Sequence, residues 1–213
     1  MICDFSLRHY REILQAARSG GYRFRFFDHE PQPGDLLLRH DVDLSLDAAI
    51  RMAELEAQLE VRATYFLMTR SVFYNLLSSE GEAALARLRE LEHAVGLHAV
   101  RPHLDIDARF DPVVAWHNPE PETMSQPLPG LENVMGERFF RHDRYRSDSN
   151  GYWRSGCPHE ALAAGELEWL QLLVHPEIWV YPGATMRETM LAMLESERAR
   201  DLERFEADRI DLT

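Results

Sequence analysis

Leu36-Leu37-Leu38-Arg39-His40-Asp41-Val42-Asp43 passes from an apolar triplet into a cluster of ionisable groups within eight residues. The apolar run is short and follows a stretch, 28–35, that contains Pro and Gly, so it reads as a buried strand after a loop. In a parallel α/β protein, ligands and catalytic groups gather at the carboxyl ends of the strands. Side chains two apart in an extended chain project to the same face, so Asp41 and Asp43 share one. Two carboxylates held that close need a cation, a shared proton or free water. A helix cap is the plainer reading, because Asp43 lies just before a helical pattern.

Strand-like and helix-like segments alternate on both sides of this run, the pattern of a parallel α/β architecture. A helix is expected over 6–18, with Ser6 as its cap and Gly20-Gly21 at its end. Residues 22–27 read as a strand. Ser45 is placed to cap a helix over 46–60, and 61–68 is a strong strand candidate. A charged and apolar helix over 80–92 precedes a strand, 94–100, that holds His98. Residues 113–116 form the next strand and lead into His117. Residues 118–136 read as a surface loop or flap. A helix near 159–168 and a strand over 170–174 lead into His175. A charged helix over 186–209 has Met190, Leu194, Leu202 and Phe205 as its apolar stripe. The strand ends therefore carry Asp41 and Asp43, then His98, then His117, then His175, and a right-handed parallel sheet brings such ends to one face.

The chain has 213 residues, 45% of them hydrophobic, enough for one full core, and no linker stands out, so a single domain over 1–213 is expected. A formal charge of -13 argues against a nucleic-acid partner, which requires a basic face. No apolar run approaches the roughly 20 residues of a membrane span, and the first residues carry no secretory signal pattern. Two cysteines, Cys3 and Cys157, form no Cys-x-x-Cys motif and are expected to be reduced, which points to the cytoplasm.

Zinc and similar ions take imidazole nitrogen and carboxylate oxygen, with three protein ligands and one open position in catalytic sites. Bound water then becomes acidic near neutral pH, and hydrolysis further needs a base and an acid. Asp41, Asp43, His98, His103, His117 and His175 offer these groups. With ten histidines, most are expected to be surface or hydrogen-bonded residues: His9, His29, His142 and His159 fit that, and so does His93 as a cation at a helix end.

Leu36–Asp43, then Val61-Arg-Ala-Thr-Tyr-Phe66, Glu92-His-Ala-Val-Gly-Leu-His98, Trp116-His-Asn-Pro119 and Leu172-Leu-Val-His-Pro-Glu177 together resemble the polysaccharide deacetylase superfamily, the chitooligosaccharide-deacetylase-like carbohydrate esterases. The resemblance covers roughly 36–180. It implies a distorted, incomplete (β/α) barrel of about seven parallel strands. It also implies a divalent metal, zinc foremost, and hydrolysis of an N- or O-acetyl group on a sugar or sugar-containing precursor, as in surface polysaccharide synthesis. By position it gives Asp41 as base and Asp43 as metal ligand, an order that can be reversed because the family's pair is adjacent and this one is split by Val42. It gives His98 as a ligand and His175 as general acid. Asp148 and Arg154 match a later motif that orients the catalytic groups, with Arg39 as a further supporting residue. Where the family has its second metal histidine this chain has Pro102, so His103 or His117 must substitute. The segment between His98 and His117 is too short for an ordinary crossover helix, so the barrel is expected to be trimmed there. Pro102 also keeps open a non-catalytic carbohydrate-binding or scaffold protein on the same fold, and a hydrolase of another bond is a third reading. The sequence leaves the oligomeric state open.

Overall fold

The structure, a computed structural model, describes residues 3–100, 108–124, 126 and 128–210. The Ser6 hydroxyl accepts a hydrogen bond from the His9 N–H at 3.1 Å and opens helix α1 (Leu7–Ser19). Tyr10, Ile13, Leu14 and Ala17 form its buried face at helical spacing. Strand β1 (Arg23–Arg25) is short, whereas β2 (Asp35–Val42) is buried along its whole length. Ser45 caps α2 (Leu46–Gln58) through the Ala48 N–H. Next come β3 (Thr64–Leu67), α3 (Ser79–Glu90), β4 (Ala94–Ala99) and β5 (Val113–Trp116). The chain continues through α4 (Pro121–Met124), β6 (Glu132–Asn133), β7 (Tyr145–Ser147) and α5 (His159–Ala163). It ends in β8 (Leu170–Val174), α6 (Pro176–Val180) and the long α7 (Met186–Ala207).

Every strand pair is parallel, and the order runs β6-β5-β4-β3-β2-β8-β7 without closing on itself. β1 pairs with the first residues of β2, ahead of β3. The result is a curled, open sheet of seven parallel strands with β1 beside it, an incomplete (β/α) barrel as expected. Among the described residues no helix lies between β4 and β5; residues 108–112 there form only a turn and a bend. No helix among the described residues is long and apolar enough to cross a membrane.

The larger core lies between the sheet and helices α1, α2, α3 and α6, and a smaller one around Leu37, Phe66, Phe139 and Trp169 fills the other face. Gly96 in β4 is required by this second core. A Cβ there would stand 2.6 Å from the Phe66 ring and 2.7 Å from Val113 Cγ2. Gly96→Ala is therefore expected to destabilise the protein by about 1–3 kcal/mol through overpacking. Urea denaturation measures this, and an unchanged midpoint would show that Phe66 has room to yield.

The helix-side core contains one polar knot. Glu56 on α2 is fully buried and accepts from Tyr10, from His40 Nε2 at 2.6 Å and from Tyr65 at 2.8 Å. Burial works against its charge, but His40 outweighs it and holds the carboxylate below the usual range. His93 lies beside it, 3.7 Å away. The expectation of a cationic, helix-capping His93 is corrected. Its Nδ1 accepts from the Ala63 N–H and its Nε2–H donates to the Ala53 carbonyl, both at 3.2 Å, and burial lowers its pKa.

Other expectations are corrected too. In α7, Met193 is the buried anchor, while Leu194, Leu202 and Phe205 are 52%, 39% and 42% exposed. The second half of the helix is held to the body by ion pairs rather than by apolar packing, Arg200 to Asp47 on α2 at 2.8 Å and Arg204 to Glu80 on α3 at 2.6 Å. The stretch read as a loop over 118–136 supplies α4 and β6, and 138–146 supplies most of β7.

Candidate metal centre

The alternation of β2 sorts its ionisable end onto two faces. His40 turns to Glu56, and Arg39, Asp41 and Asp43 turn to the other side. There the Arg39 guanidinium forks onto Asp41, with Nε–Oδ1 and Nη2–Oδ2 both at 2.7 Å. Both side chains are buried, and Arg39 also lies over the Phe66 ring and donates to Gln171 on β8. Gln171 in turn donates to the Val134 and Phe139 carbonyls, so the fork is fixed in place. Burial pushes the Asp41 pKa up, but the Arg39 charge outweighs it and the carboxyl sits below its ordinary value.

Asp43 follows the last residue of β2. The cap of α2 is Ser45, so the cap reading of Asp43 falls away. His98 points from β4 to the same place. Its Nδ1 lies 3.2 Å from the Ala115 carbonyl and donates to it, which turns Nε2 toward the site. That Nε2 is 3.0 Å from Asp43 Oδ1 and 3.7 Å from Asp41 Oδ2. His117 follows β5, with its backbone N–H held by the Ala99 carbonyl at 2.8 Å. Its Nδ1 lies 3.1 Å from Asp43 Oδ1 and 3.2 Å from His98 Nε2. The β4–β5 register, Ala99 against Trp116, carries His98 and His117 to neighbouring positions.

Three donor atoms therefore converge at 3.0–3.2 Å from one another. Asp43 Oδ1 is buried and yet receives no well-formed hydrogen bond. A tetrahedral zinc with arms of 2.0–2.1 Å would set its ligands roughly 3.3 Å apart, close to these separations. An oxygen and two imidazole nitrogens suit zinc or a similar first-row ion, and three protein ligands leave one position open. The residues thus fit a divalent metal. Burial opposes the Asp43 charge, but the His117 and His98 imidazoles beside it override it and hold the carboxylate far below its usual range. The Asp43 carboxylate beside it raises the His117 pKa, so a metal would displace a proton there.

Asp43 and His117 open onto a cleft of about 470 Å³ that His175, Glu177 and Ser149 also line. A larger cavity, about 620 Å³, lies at the amino ends of β3–β5 beside Thr64, Ala94 and Val113, away from the converging ligands. The register of β2 with β8, His40 against Val174, sends Asp41 and His175 out of adjacent strands side by side. His175 Nδ1 donates to Asp148 Oδ1 at 2.6 Å. Asp148 is fully buried and also accepts from the His175 N–H at 3.0 Å and from Trp179 Nε1 at 2.7 Å. Burial disfavours the imidazolium, but the Asp148 charge prevails and raises His175 to about 10.

The sequence-derived candidates Asp41, Asp43, His98, His117, His175, Arg39 and Asp148 are thus brought together. Arg154 is not: it is exposed beyond the positive-φ turn at Asn150 and Gly151 and does not line the cleft. His103 lies outside the described residues. Glu177 joins the cleft without having been singled out by the strand pattern. It is 3% exposed, its Oε2 has no hydrogen-bond partner, and burial raises its pKa to about 8 against the pull of His175. The signal for it is its spacing, two residues beyond the strand-end His175, as Asp43 stands to Asp41. No family model matches the chain, and no curated protein or solved structure is found similar to it.

Proposed function

We propose that this protein is a metal-dependent hydrolase that removes an N- or O-linked acetyl group from a sugar or a sugar-containing precursor. The observation that carries the reading is the convergence of Asp43, His98 and His117 on one cleft with an Asp148-bound His175. Asp43, His98 and His117 would hold the ion. A divalent ion, zinc foremost, supplies a Lewis acid that activates water and polarises the acetyl carbonyl.

The chain's own groups supply the proton transfers. The base role is assigned to Asp41, which lies 3.7 Å from His98 Nε2 and is ionised through its pairing with Arg39. His175 keeps its proton at neutral pH. With Nδ1–H committed to Asp148, its Nε2–H is the one left to give to the departing amine or alkoxide. Phe73 and Val72, both exposed and both lining the cleft, offer an apolar rim for the face of a sugar ring. The net charge of -13 favours a substrate without a polyanionic backbone, and nucleotide- or lipid-linked sugars of surface polysaccharide synthesis are the class the family resemblance suggests.

The test is metal analysis of purified protein together with acetate release from N- and O-acetylated sugars. Chelation is expected to abolish release and zinc to restore it, and Asp43→Ala combined with His98→Ala is expected to remove both metal and activity at this site. Release that survives the double substitution would overturn the assignment. Metal binding with no acetate release, but turnover of another ester, would transfer the site to a different hydrolysis.

A further inference from the structure

We propose that Cys3, Cys157 and His9 form a second metal site, one that takes zinc or another thiophilic divalent ion. The proposal stands independently of the deacetylase reading, and none of the three residues lines the cleft. The chain's two cysteines are separated by most of its length, yet the fold brings their sulfurs together beside His9 on α1. The three ligand atoms all lie within 4.8 Å of one another, and His9 Nε2 is 3.3 Å from Cys157 Sγ. A tetrahedral zinc with arms of about 2.3 Å to sulfur sets its thiolates roughly 3.8 Å apart, a separation inside that limit.

The surroundings are those a metal-ligating histidine and thiolate require. His9 Nδ1 lies 3.0 Å from Glu12 Oε2 and donates to it, which leaves the Nε2 lone pair facing the sulfurs. This is the carboxylate–histidine relation that orients a metal ligand. Trp153 Nε1 donates to Cys3 Sγ at 3.3 Å, a hydrogen bond that favours the thiolate. A further observation points to the missing ligand. The His159 ring stacks on His9 at 5.4 Å, and its Nδ1 is buried with no hydrogen-bond partner. His159 can turn that nitrogen to the fourth position. Both cysteines are half-buried rather than sealed in the core.

Such an ion would tie the segment before α1 to the loop before α5. His9 also stacks on Trp179 at 6.4 Å, and Trp179 donates to Asp148. The site therefore buttresses, through one indole, the carboxylate that orients His175.

Cobalt(II) titration of the full chain under a phosphine reductant tests the proposal, because the Asp43 cluster contains no sulfur. The wild-type protein is expected to show an intense near-ultraviolet thiolate-to-cobalt band. Cys157→Ser and Cys3→Ser are each expected to lose the band and one metal equivalent, and Asp43→Ala to retain the band. Chelation is expected to lower the melting temperature of Asp43→Ala but not of Asp43→Ala with Cys157→Ser. Absence of the band in wild-type protein with both thiols reduced would overturn the proposal without reliance on any variant. So would a band that persists in Cys157→Ser, or a Cys3–Cys157 disulfide that resists the reductant.

Discussion

His175→Ala is expected to lower kcat for acetate release by about 10²- to 10⁴-fold, the usual worth of a positioned general acid. Metal binding at Asp43, His98 and His117 should persist, because His175 is not one of the three converging ligands. The His175 pKa of about 10 lies above its ordinary value of about 6.5. Its protonated form therefore persists through neutral pH, and the alkaline limb of kcat/KM is expected near 10. The Asp148 pairing also stabilises the fold fully below about pH 6.5, and this contribution is lost as pH rises through about 10. Asp148→Asn removes the charge that raises the imidazole and should draw the alkaline limb down toward the ordinary histidine range. A pH–rate profile that keeps its alkaline limb in Asp148→Asn would remove His175 from the acid role.

Arg39→Met is expected to destabilise the protein by about 3–5 kcal/mol, because it leaves the Asp41 charge buried without its partner. Both side chains are almost wholly inaccessible, so water cannot replace the lost fork. Arg39→Lys should recover only part of this, since an ammonium cannot grip both carboxylate oxygens. Arg39→Met with Asp41→Leu should recover most of the stability and none of the activity, because a buried pair is exchanged for apolar packing. The paired Asp41 has a depressed pKa, so its contribution is present above the ordinary aspartate value of about 3.9 and is lost as the pH falls below it. Urea melts of the four proteins, across acid pH, measure these effects. A single variant as stable as wild type would show that Asp41 finds another cation or is protonated.

Much of this arrangement was legible from β2. Its apolar triplet and its alternation give the strand and the shared face of Arg39, Asp41 and Asp43, and the strand-end rule gives His98, His117 and His175. β6 and β7 were not legible, because two- and three-residue strands carry too few side chains to show a period. Asp148 was legible only through the family resemblance, and its position, clamped by three donors, depends on His175 and Trp179, which come later in the chain. Cys3, His9, Cys157 and His159 each look ordinary alone. Their meeting is a product of how α1 packs on α5, a contact with no local trace in the sequence. The exposed α7 leucines show the converse: a periodic stripe states which side of a helix is apolar, not whether anything covers it.

Glu56 bears on how the protein comes apart. Its one carboxylate answers to groups on α1, β2 and β3, with the histidine that follows α3 close by. A partly assembled chain that buries Glu56 must leave some of those donors empty, and a buried carboxylate short of donors is strongly unfavourable. Intermediates missing any of these elements are thus penalised together. The first half of the chain is built to unfold in one concerted step, with fraying confined to segments that owe nothing to that carboxylate, such as the outer turns of α7.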